Sequence, residues 1–473
     1  MRRGGDRPLR RAVILCLLTA ACGGGNVPPP PDLPAVARQV SLLRFPRTGG
    51  PVTAFLPDSL IPAGWSTPLP APPLRLAIGA DLDERLAYAL DEDENLVAID
   101  LESRGIRRQL MPGVSAAVMG PDGSLYVARA DRRIVRLVRR TPLELTDPLA
   151  GAPRAMYGTV SGQVVVVTPG SPRRLLFASS ERAVHEELLP EGSVAATYWG
   201  DLLAVAADTA IILYETSGDF RVRSARVTDR ARDVTFSPSG HRIYVARDSR
   251  DVVVLDRYGL GQLPSIRLPG APRAIRTDAS GRWLLARPAE SDSVWVVDLA
   301  TGRPAASLPT AWASDLPLVA GAATLIARQG DDVVAWDLRS VPPKRLATLV
   351  GAGPDSWLAV GWVPRDRLPA AVAAAESATV TQDSALVGET SFTPADSVDI
   401  YVQVSTSQNP DWAEDLADRL RDEGVEATVL KPKGDQEAYR VVIGPFQTRE
   451  AAEETGRRLG RPYFILRLPR SRT

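Results

Sequence analysis

Cysteine and histidine are nearly absent from this chain. Its 473 residues include two of each. Both cysteines, Cys16 and Cys22, fall within the first 22 residues, so the remainder has no pair for a disulfide and no thiol cluster for a metal. GxSxG, HExxH and DxDxDG motifs are missing too, which removes the common signatures of serine hydrolases, zinc peptidases and calcium loops. We therefore expect no catalytic residue, no bound metal and no cofactor.

The two histidines and one acidic stretch are interpreted as surface features. His185 and His241 lie far apart in the sequence, and His241 follows a glycine in the turn-like segment SPSGHR, 237–242. We predict that His241 is a solvated side chain rather than a ligand. The spacing of the acidic residues in 81–95 matches no cation-binding loop, so a solvated turn is expected there as well.

The chain has no excess of either charge and no long apolar run. It contains 56 basic and 56 acidic residues, so its formal net charge is zero. This balance gives no overall field that favours a nucleic acid as partner, and we predict none. The apolar run at 12–21 is shorter than the roughly 20 residues that cross a bilayer as a helix.

Residues 1–22 are instead typical of an export signal. Five arginines precede the apolar run, as in the basic first region of a signal peptide. The ending LTAAC resembles a bacterial lipobox, although Thr19 stands where leucine is more usual. The resemblance implies cleavage before Cys22 and a lipid on its thiol, which would attach the protein to a membrane. The alternative is an ordinary signal peptide with an incidental cysteine. If Cys22 carries the lipid, Gly23 after it favours the outer membrane, on its periplasmic side.

Composition then divides the rest of the chain. Glycines and a proline run after Cys22 indicate an extended tether, and a stretch rich in Ala, Ser, Thr and Pro indicates a flexible linker much later. The predicted segments are a signal at 1–22, a tether at 23–39, a first domain at 40–363, a linker at 364–397 and a second domain at 398–473.

A repeat dominates the first domain. In each unit an apolar strand runs to a fixed end: Asp100, Val138, Phe177, Glu215, Asp256, Asp298 and Asp337. The intervals between these ends are 38 to 42 residues, which suits four short strands and hence one blade of a β-propeller. The aspartates at four of the ends are interpreted as turn formers.

Further matches within the units support this architecture. Gly-centred turns lead into strands that end in Ala-Arg at 121–129, 237–247 and 278–287. The pattern resembles WD-repeat-like and YVTN-type propellers. It predicts an all-β propeller of seven blades, closed by pairing of residues 40–45 with 357–363. An eighth blade built from those two ends is one alternative, and an array of β-sandwiches is another.

The second domain has the pattern of a small α+β module of the order βαββαβ, as in ferredoxin-like folds. Strands are predicted at 398–406, 425–431, 438–444 and 462–468, from alternating apolar and polar residues. An amphipathic helix should begin after Asn409 and end at Gly424, and a second helix is predicted at 448–460. Two helices on one face of a four-stranded sheet would leave the other face open for a ligand.

Residues 399–468 resemble a SPOR domain, a family that binds peptidoglycan glycan strands lacking stem peptides. The resemblance implies a binding site on the open face at Gln403, Thr406, Tyr439 and Arg440, which we expect to share that face. Amide, hydroxyl and guanidinium groups suit sugar hydroxyls and acetamido groups, and an aromatic ring offers an apolar surface to the sugar. The segment VSTS departs from the family pattern at Ser405 and Ser407. The alternative is a related sheet that binds proteins.

These observations predict a lipid-anchored envelope protein that reaches the cell wall. Its propeller, without a recognisable catalytic constellation, would recruit other envelope proteins, for example at the division site. The alternative is a propeller enzyme that acts on a sugar or peptide and is held at the wall by the second domain.

Overall fold

We analysed a computed structural model of the protein. It describes residues 40–364 and 398–469, apart from positions 83, 122, 139–140, 160–161, 181–183, 217–219, 322, 363, 408–409, 423, 432–438, 449–450, 453–454, 457–458 and 460–462. The predicted signal, the tether up to residue 39 and almost all of the predicted linker lie outside the described residues. Among the residues that are described, no helix combines the length and the apolar character needed to cross a membrane.

The first described range is built from short antiparallel strands. In chain order they are β1 (Ser41–Phe45), β2 (Thr53–Phe55), β3 (Pro62–Ser66), β4 (Leu74–Asp81), β5 (Leu86–Asp91), β6 (Leu96–Asp100), β7 (Ile106–Met111), β8 (Val114–Met119), β9 (Leu125–Arg129), β10 (Ile134–Val138), β11 (Thr141–Glu144), β12 (Ala155–Gly158), β13 (Val164–Val167), β14 (Arg173–Ala178), β15 (His185–Leu189), β16 (Ser193–Ala196), β17 (Leu202–Ala207), β18 (Ala210–Glu215), β19 (Val222–Arg226), β20 (Ala231–Phe236), β21 (Arg242–Arg247), β22 (Asp251–Asp256), β23 (Gln262–Arg267), β24 (Pro272–Thr277), β25 (Trp283–Pro288), β26 (Ser293–Asp298), β27 (Arg303–Pro309), β28 (Leu318–Ala320), β29 (Thr324–Gln329), β30 (Asp332–Asp337), β31 (Lys344–Leu349) and β32 (Ser356–Val360).

These strands form eight four-stranded sheets within residues 41–360. Seven sheets consist of four consecutive strands each, from β4–β7 to β28–β31. The eighth has the order β3-β2-β1-β32, and its strands β1 and β32 pair from Ser41 opposite Val360 to Phe45 opposite Ser356. The predicted pairing of the two ends of the region is therefore confirmed. The sequence favours seven blades and leaves an eighth, built from these two ends, as an alternative. The structure has that eighth blade, because the two ends make a complete sheet of their own.

Hydrophobic clusters between neighbouring sheets close the ring. One cluster joins Phe45 and Trp65 of the sheet built from the two ends to Ile99 in β6. On the opposite side of the same sheet, Trp357 packs in a second cluster with Ile326 of β29. Six further clusters of described residues fill the other interfaces between successive sheets. Because every sheet shares a cluster with each of two neighbours, the region is a closed propeller without free sheet faces.

The aspartates that end the repeat strands act as turn formers, as the sequence predicts. The Asp100 carboxylate accepts hydrogen bonds from the backbone N–H groups of Glu102 at 2.9 Å and Ser103 at 2.8 Å. The Asp256 carboxylate accepts the N–H groups of Tyr258 at 3.1 Å and Gly259 at 2.9 Å. Such side-chain acceptors stabilise a turn between two strands by bonding backbone N–H groups that the hydrogen bonds between the strands do not reach.

Two largely but not fully buried carboxylates tie neighbouring sheets together. Asp233 in β20 accepts a hydrogen bond from the Ser193 hydroxyl in the preceding sheet and one from the Ile275 N–H, at 2.8 Å, in the following sheet. Asp315 accepts both Arg328 terminal nitrogens at 2.8 and 2.7 Å, and the N–H of Trp357 in β32 at 2.9 Å. The second carboxylate therefore links the seventh complete sheet to the sheet that closes the ring.

The second described range is the predicted α+β module. It contains β33 (Val398–Ser407), α1 (Pro410–Asp422), β34 (Ala427–Leu430), β35 (Tyr439–Phe446) and β36 (Phe464–Pro469), with helical residues at 451–452 and 455–456 between the last two strands. The sheet is antiparallel and has the order β34-β35-β33-β36. Its central strands are thus the first and third strands of the module, which carry all four predicted site residues.

Candidate functional site

One face of the C-terminal sheet packs against the helices and forms the core of the module. Val402 and Val404 of β33 and Val441 and Ile443 of β35 lie in one cluster with Ala417 and Leu420 of α1. Tyr439 is partly buried against this same cluster. Since side chains alternate between faces along a strand, the residues between these positions belong to the helix-free face.

The strand register assembles the helix-free face around Gln403. Gln403 lies opposite Val442 of β35 on one side and opposite Phe464 of β36 on the other. Thr406 lies opposite Arg440, and Arg440 also lies opposite Leu430 of the edge strand β34. Directly opposed residues of antiparallel strands share a face, so positions 403, 406 and 440 are brought together across two adjacent strands.

A β-bulge makes this arrangement possible. Gln403 and Thr406 are three residues apart, which would place them on opposite faces of a regular strand. The register of β33 against β35 shifts between Gln403 and Ser405, so one extra residue is inserted there. The bulge restores Thr406 to the face of Gln403. It also falls in the segment where the sequence departs from the SPOR pattern, between Gln403 and Ser407.

The structure separates Tyr439 from the other three predicted residues. Tyr439 lies opposite Ser407 and Arg440 opposite Thr406 with no irregularity between them, so the two neighbours point to opposite faces. Gln403, Thr406 and Arg440 therefore share one face, and the expectation that Tyr439 joins them is wrong. The contact of Tyr439 with the helix-side core gives it a packing role.

Another tyrosine takes the aromatic place on the helix-free face. Tyr401 is two residues before Gln403 on β33 and lies opposite Leu466 of β36. It is half-buried, whereas its neighbours Ile400 and Val402 pack into the helix-side core. Sequence reasoning missed Tyr401, although its spacing of two from Gln403 is the signal that two residues of one strand share a face.

The helix-free face is less open than the sequence predicts. Val442 at its centre is fully buried, and Gln403 and Leu466 are 7% and 8% exposed. Burial lowers the pKa of Arg440, because desolvation disfavours the charged guanidinium. An arginine nevertheless stays protonated at neutral pH. The face thus combines a charged donor, a buried amide and an aromatic ring in surroundings that strengthen hydrogen bonds to a ligand.

A shallow cavity of about 620 Å³ lies at the β34 edge of the same module. Glu414 and Arg421 of α1 and residues 427–429 of β34 are among the residues that line it. The Arg421 Nε donates to the Ala427 carbonyl at 3.0 Å, which covers part of this exposed strand edge. Neither Gln403 nor Arg440 lines the cavity.

The two histidines lie on the propeller and not in a metal-binding group. His241 is only 6% exposed and its Nδ1 lies 3.0 Å from the Tyr258 hydroxyl, so the expectation of a solvated side chain is wrong. Gly240 in its turn lies close to Thr197 of the preceding sheet, a contact that a local sequence pattern does not reveal. His185 is half-buried, lies 2.9 Å from the Glu187 carboxylate and stacks on Phe220. The described residues contain no group of three or more Cys, His, Asp or Glu side chains placed to hold a metal.

Comparisons with known proteins identify the two parts of the chain. The model of a family described as SPOR domain matches residues 396–463. Among solved structures, dihydro-heme d1 dehydrogenase NirN in complex with DHE is similar with a TM-score of 0.50 and 15% identity, over 68% of this chain and 75% of that one. Apo AztD from Citrobacter koseri is similar with a TM-score of 0.50 and 12% identity, over 68% of this chain and 97% of that one. At such identities the likeness concerns the fold alone. No curated protein sequence matches the chain.

Proposed function

We propose that this chain, a β-propeller followed by a SPOR domain at residues 396–463, binds peptidoglycan in the cell envelope. The SPOR domain supports peptidoglycan binding and a location in the envelope. The observation that carries the proposal is the convergence of Gln403, Thr406 and Arg440 on the helix-free face of that domain. These are three of the four positions that the family resemblance assigns to the glycan site.

The chemistry of this face suits an uncharged sugar chain. The Arg440 guanidinium offers hydrogen-bond donors in a fixed plane, and the Gln403 amide offers both a donor and an acceptor. Hydroxyl and acetamido groups of a glycan can pair with both. The Tyr401 ring supplies the apolar surface that the sequence assigns to Tyr439. Glycan strands without stem peptides are the proposed ligand, as the resemblance to the SPOR family implies.

The remaining parts of the proposal concern anchoring and partners. A lipid on Cys22 would hold the N-terminus at the outer membrane, while the SPOR domain holds the C-terminus at the wall. The propeller would present its surface to other envelope proteins, as in an adaptor that acts during cell division or envelope maintenance. Large closed propellers with many exposed loops suit such a role, since binding residues concentrate on loops held by a rigid scaffold.

Co-sedimentation of the full chain with purified sacculi tests peptidoglycan binding. We expect the wild type to pellet with the sacculi, and Arg440→Ala to pellet much less. Arg421→Ala is the matched control, because Arg421 belongs to the same domain but lies on the helix side at the β34 edge. A chain that stays in the supernatant, or an Arg421→Ala loss equal to that of Arg440→Ala, would contradict the proposal.

A further inference from the structure

Two exposed tyrosines lie on adjoining turns at one end of the propeller. Tyr198 is in the turn between β16 and β17 and is 44% exposed, and Tyr258 is in the turn between β22 and β23 and is 56% exposed. In antiparallel blades, the turn after the first strand and the turn after the third strand are at the same end. The two rings therefore face solvent from neighbouring blades on one surface, which we call the tyrosine surface.

The ring of Tyr258 is held from several sides. Its hydroxyl lies 3.0 Å from Nδ1 of buried His241, and the two rings are 5.6 Å apart between centroids. The Arg257 guanidinium lies over the Tyr258 ring at 5.5 Å. Arg223 donates to both backbone carbonyls of this turn, at 3.0 Å to Arg257 and 2.8 Å to Tyr258. An exposed ring fixed in this way loses little conformational entropy on binding.

Tyr198 is supported by an aromatic neighbour. It meets Trp199 edge to face, with ring centroids 4.9 Å apart at an angle of 81°. Trp199 is only 3% exposed, so it forms a fixed base beside the Tyr198 ring. Edge-to-face contact is a favoured arrangement of aromatic pairs.

An ion pair joins the two turns into one surface. The Arg257 guanidinium donates to Asp201 at 2.7 Å, and Asp201 also accepts the Thr197 hydroxyl at 2.5 Å. Asp201 and Thr197 belong to the turn that carries Tyr198. The side chain of Asp201 keeps 30% of its surface exposed, so its oxygens can accept further hydrogen bonds. The turn that carries Tyr198 and the turn that carries Tyr258 are thus held together across a blade boundary.

We propose that the tyrosine surface is a second carbohydrate-binding site of this chain, one that takes β-1,4-linked N-acetylamino sugars. Each tyrosine ring can stack on the apolar face of a sugar, and Asp201 can accept hydrogen bonds from sugar hydroxyls or acetamido N–H groups. The choice of this sugar class rests on the proposed function, since a chain held at the wall by its SPOR domain meets such glycans at high effective concentration. Two weak sites on one chain would then act together on the wall.

Titration of the full chain with chitotetraose, a soluble oligomer of N-acetylglucosamine, tests this site. Trp199 touches Tyr198, so binding should change the tryptophan fluorescence, and Trp199→Phe should remove that change. Tyr198→Ala and Tyr258→Ala should each weaken binding by up to about tenfold, the size of one aromatic contact. Tyr258→Phe keeps the ring and should bind nearly as well as wild type. Leu188→Ala, at an exposed apolar residue of β15, is the matched control and should have no effect.

The outcomes separate this inference from SPOR-dependent binding. A double variant, Gln403→Ala with Arg440→Ala, should leave the fluorescence titration unchanged while its sacculus binding is strongly weakened. Oligomer binding that depends on Gln403 and Arg440 but not on the tyrosines would overturn the inference and leave the proposed function intact. Tyrosine variants that bind the oligomer normally but lose a protein partner would also overturn it, in favour of a protein-docking surface. Tyrosine-dependent oligomer binding without sacculus binding would support the inference and contradict the proposed function.

Discussion

Replacement of Tyr439 and Arg440 should have opposite consequences, although the two residues are adjacent. The strand register places Arg440 on the helix-free face opposite Thr406, while Tyr439 packs with the helix-side core. Arg440→Ala should therefore weaken glycan binding and leave the fold intact. Tyr439→Ala should destabilise the SPOR domain and leave the glycan affinity of the folded protein nearly unchanged.

The expected magnitudes follow from burial and bonding. A hydrogen bond from a charged donor contributes about 1.5–3 kcal/mol, so losing one Arg440 bond to a sugar should weaken binding roughly 10- to 100-fold. Tyr439 is partly buried, so its truncation should cost about 2 kcal/mol of unfolding free energy, below the values for a fully buried aromatic residue. Arg440→Ala should change the unfolding free energy by less than about 1 kcal/mol, as for most substitutions outside a core.

Two measurements on each variant decide the matter. Glycan affinity is measured by titration with purified glycan strands, and stability by thermal unfolding of the C-terminal domain within the full chain. Arg421→Ala serves as a control for loss of an arginine in the same domain. If Tyr439→Ala remains as stable as wild type and loses affinity as strongly as Arg440→Ala, the assignment of the two residues to opposite faces is refuted.

Three further predictions concern the propeller and the N-terminus. Asp315→Ala leaves the largely buried Arg328 guanidinium without its ion partner, which should cost about 3 kcal/mol of unfolding free energy. Asp292→Ala breaks the exposed pair of Asp292 with Arg287 and should cost under about 1 kcal/mol. Chemical unfolding of both variants measures the difference. Burial raises the pKa of Asp233, and the hydrogen bonds from Ser193 and Ile275 oppose this shift only in part. The free energy of unfolding of the propeller should therefore fall as the pH rises above 3.8, the ordinary pKa of an aspartate. Asp233→Asn should flatten that part of the pH–stability curve. Cys22→Ala should move the protein from the membrane pellet to the soluble periplasmic fraction, and a variant that stays in the pellet would contradict lipidation at this position.

The repeat in the first domain could be predicted because each complete blade carries its own local signals. An apolar third strand, an aspartate turn and a Gly-centred hairpin recur at nearly constant spacing, and each of them reports on its own neighbourhood. The predicted ends at Asp100, Val138, Glu215, Asp256, Asp298 and Asp337 coincide with strand ends in the structure. The strand expected to end at Phe177 continues one residue further, to Ala178.

The eighth blade lacks those local signals. Its third strand, Thr53–Phe55, has three residues, and its first strand comes from the other end of the domain, at Ser356–Val360. The pairing of β1 with β32 joins residues from opposite ends of the domain and depends on ring closure. A count of repeats along the sequence therefore misses this blade. The hydrophobic clusters on both sides of this blade are nevertheless well packed, with Phe45 and Trp357 fully buried.

The candidate site shows a similar division between local and non-local information. The order of strands and helices in the SPOR domain follows from alternation and from helix signals. The face of each residue depends in addition on where the bulge falls, since an extra residue between Gln403 and Thr406 reverses every position beyond it. Because of this bulge, the register places Thr406 on the predicted face, opposite Arg440. No bulge lies between Tyr439 and Arg440, so Tyr439 falls on the face opposite to the predicted one. The burial of His241 has the same origin, because its turn meets a neighbouring blade.

The affinity of the full chain for glycan strands with and without stem peptides tests the central claim most directly. The account predicts tighter binding to peptide-free strands, and loss of that binding in the double variant of Gln403→Ala and Arg440→Ala. Equal affinity for both kinds of strand would contradict the proposed ligand. Undiminished binding by the double variant would contradict the proposed site.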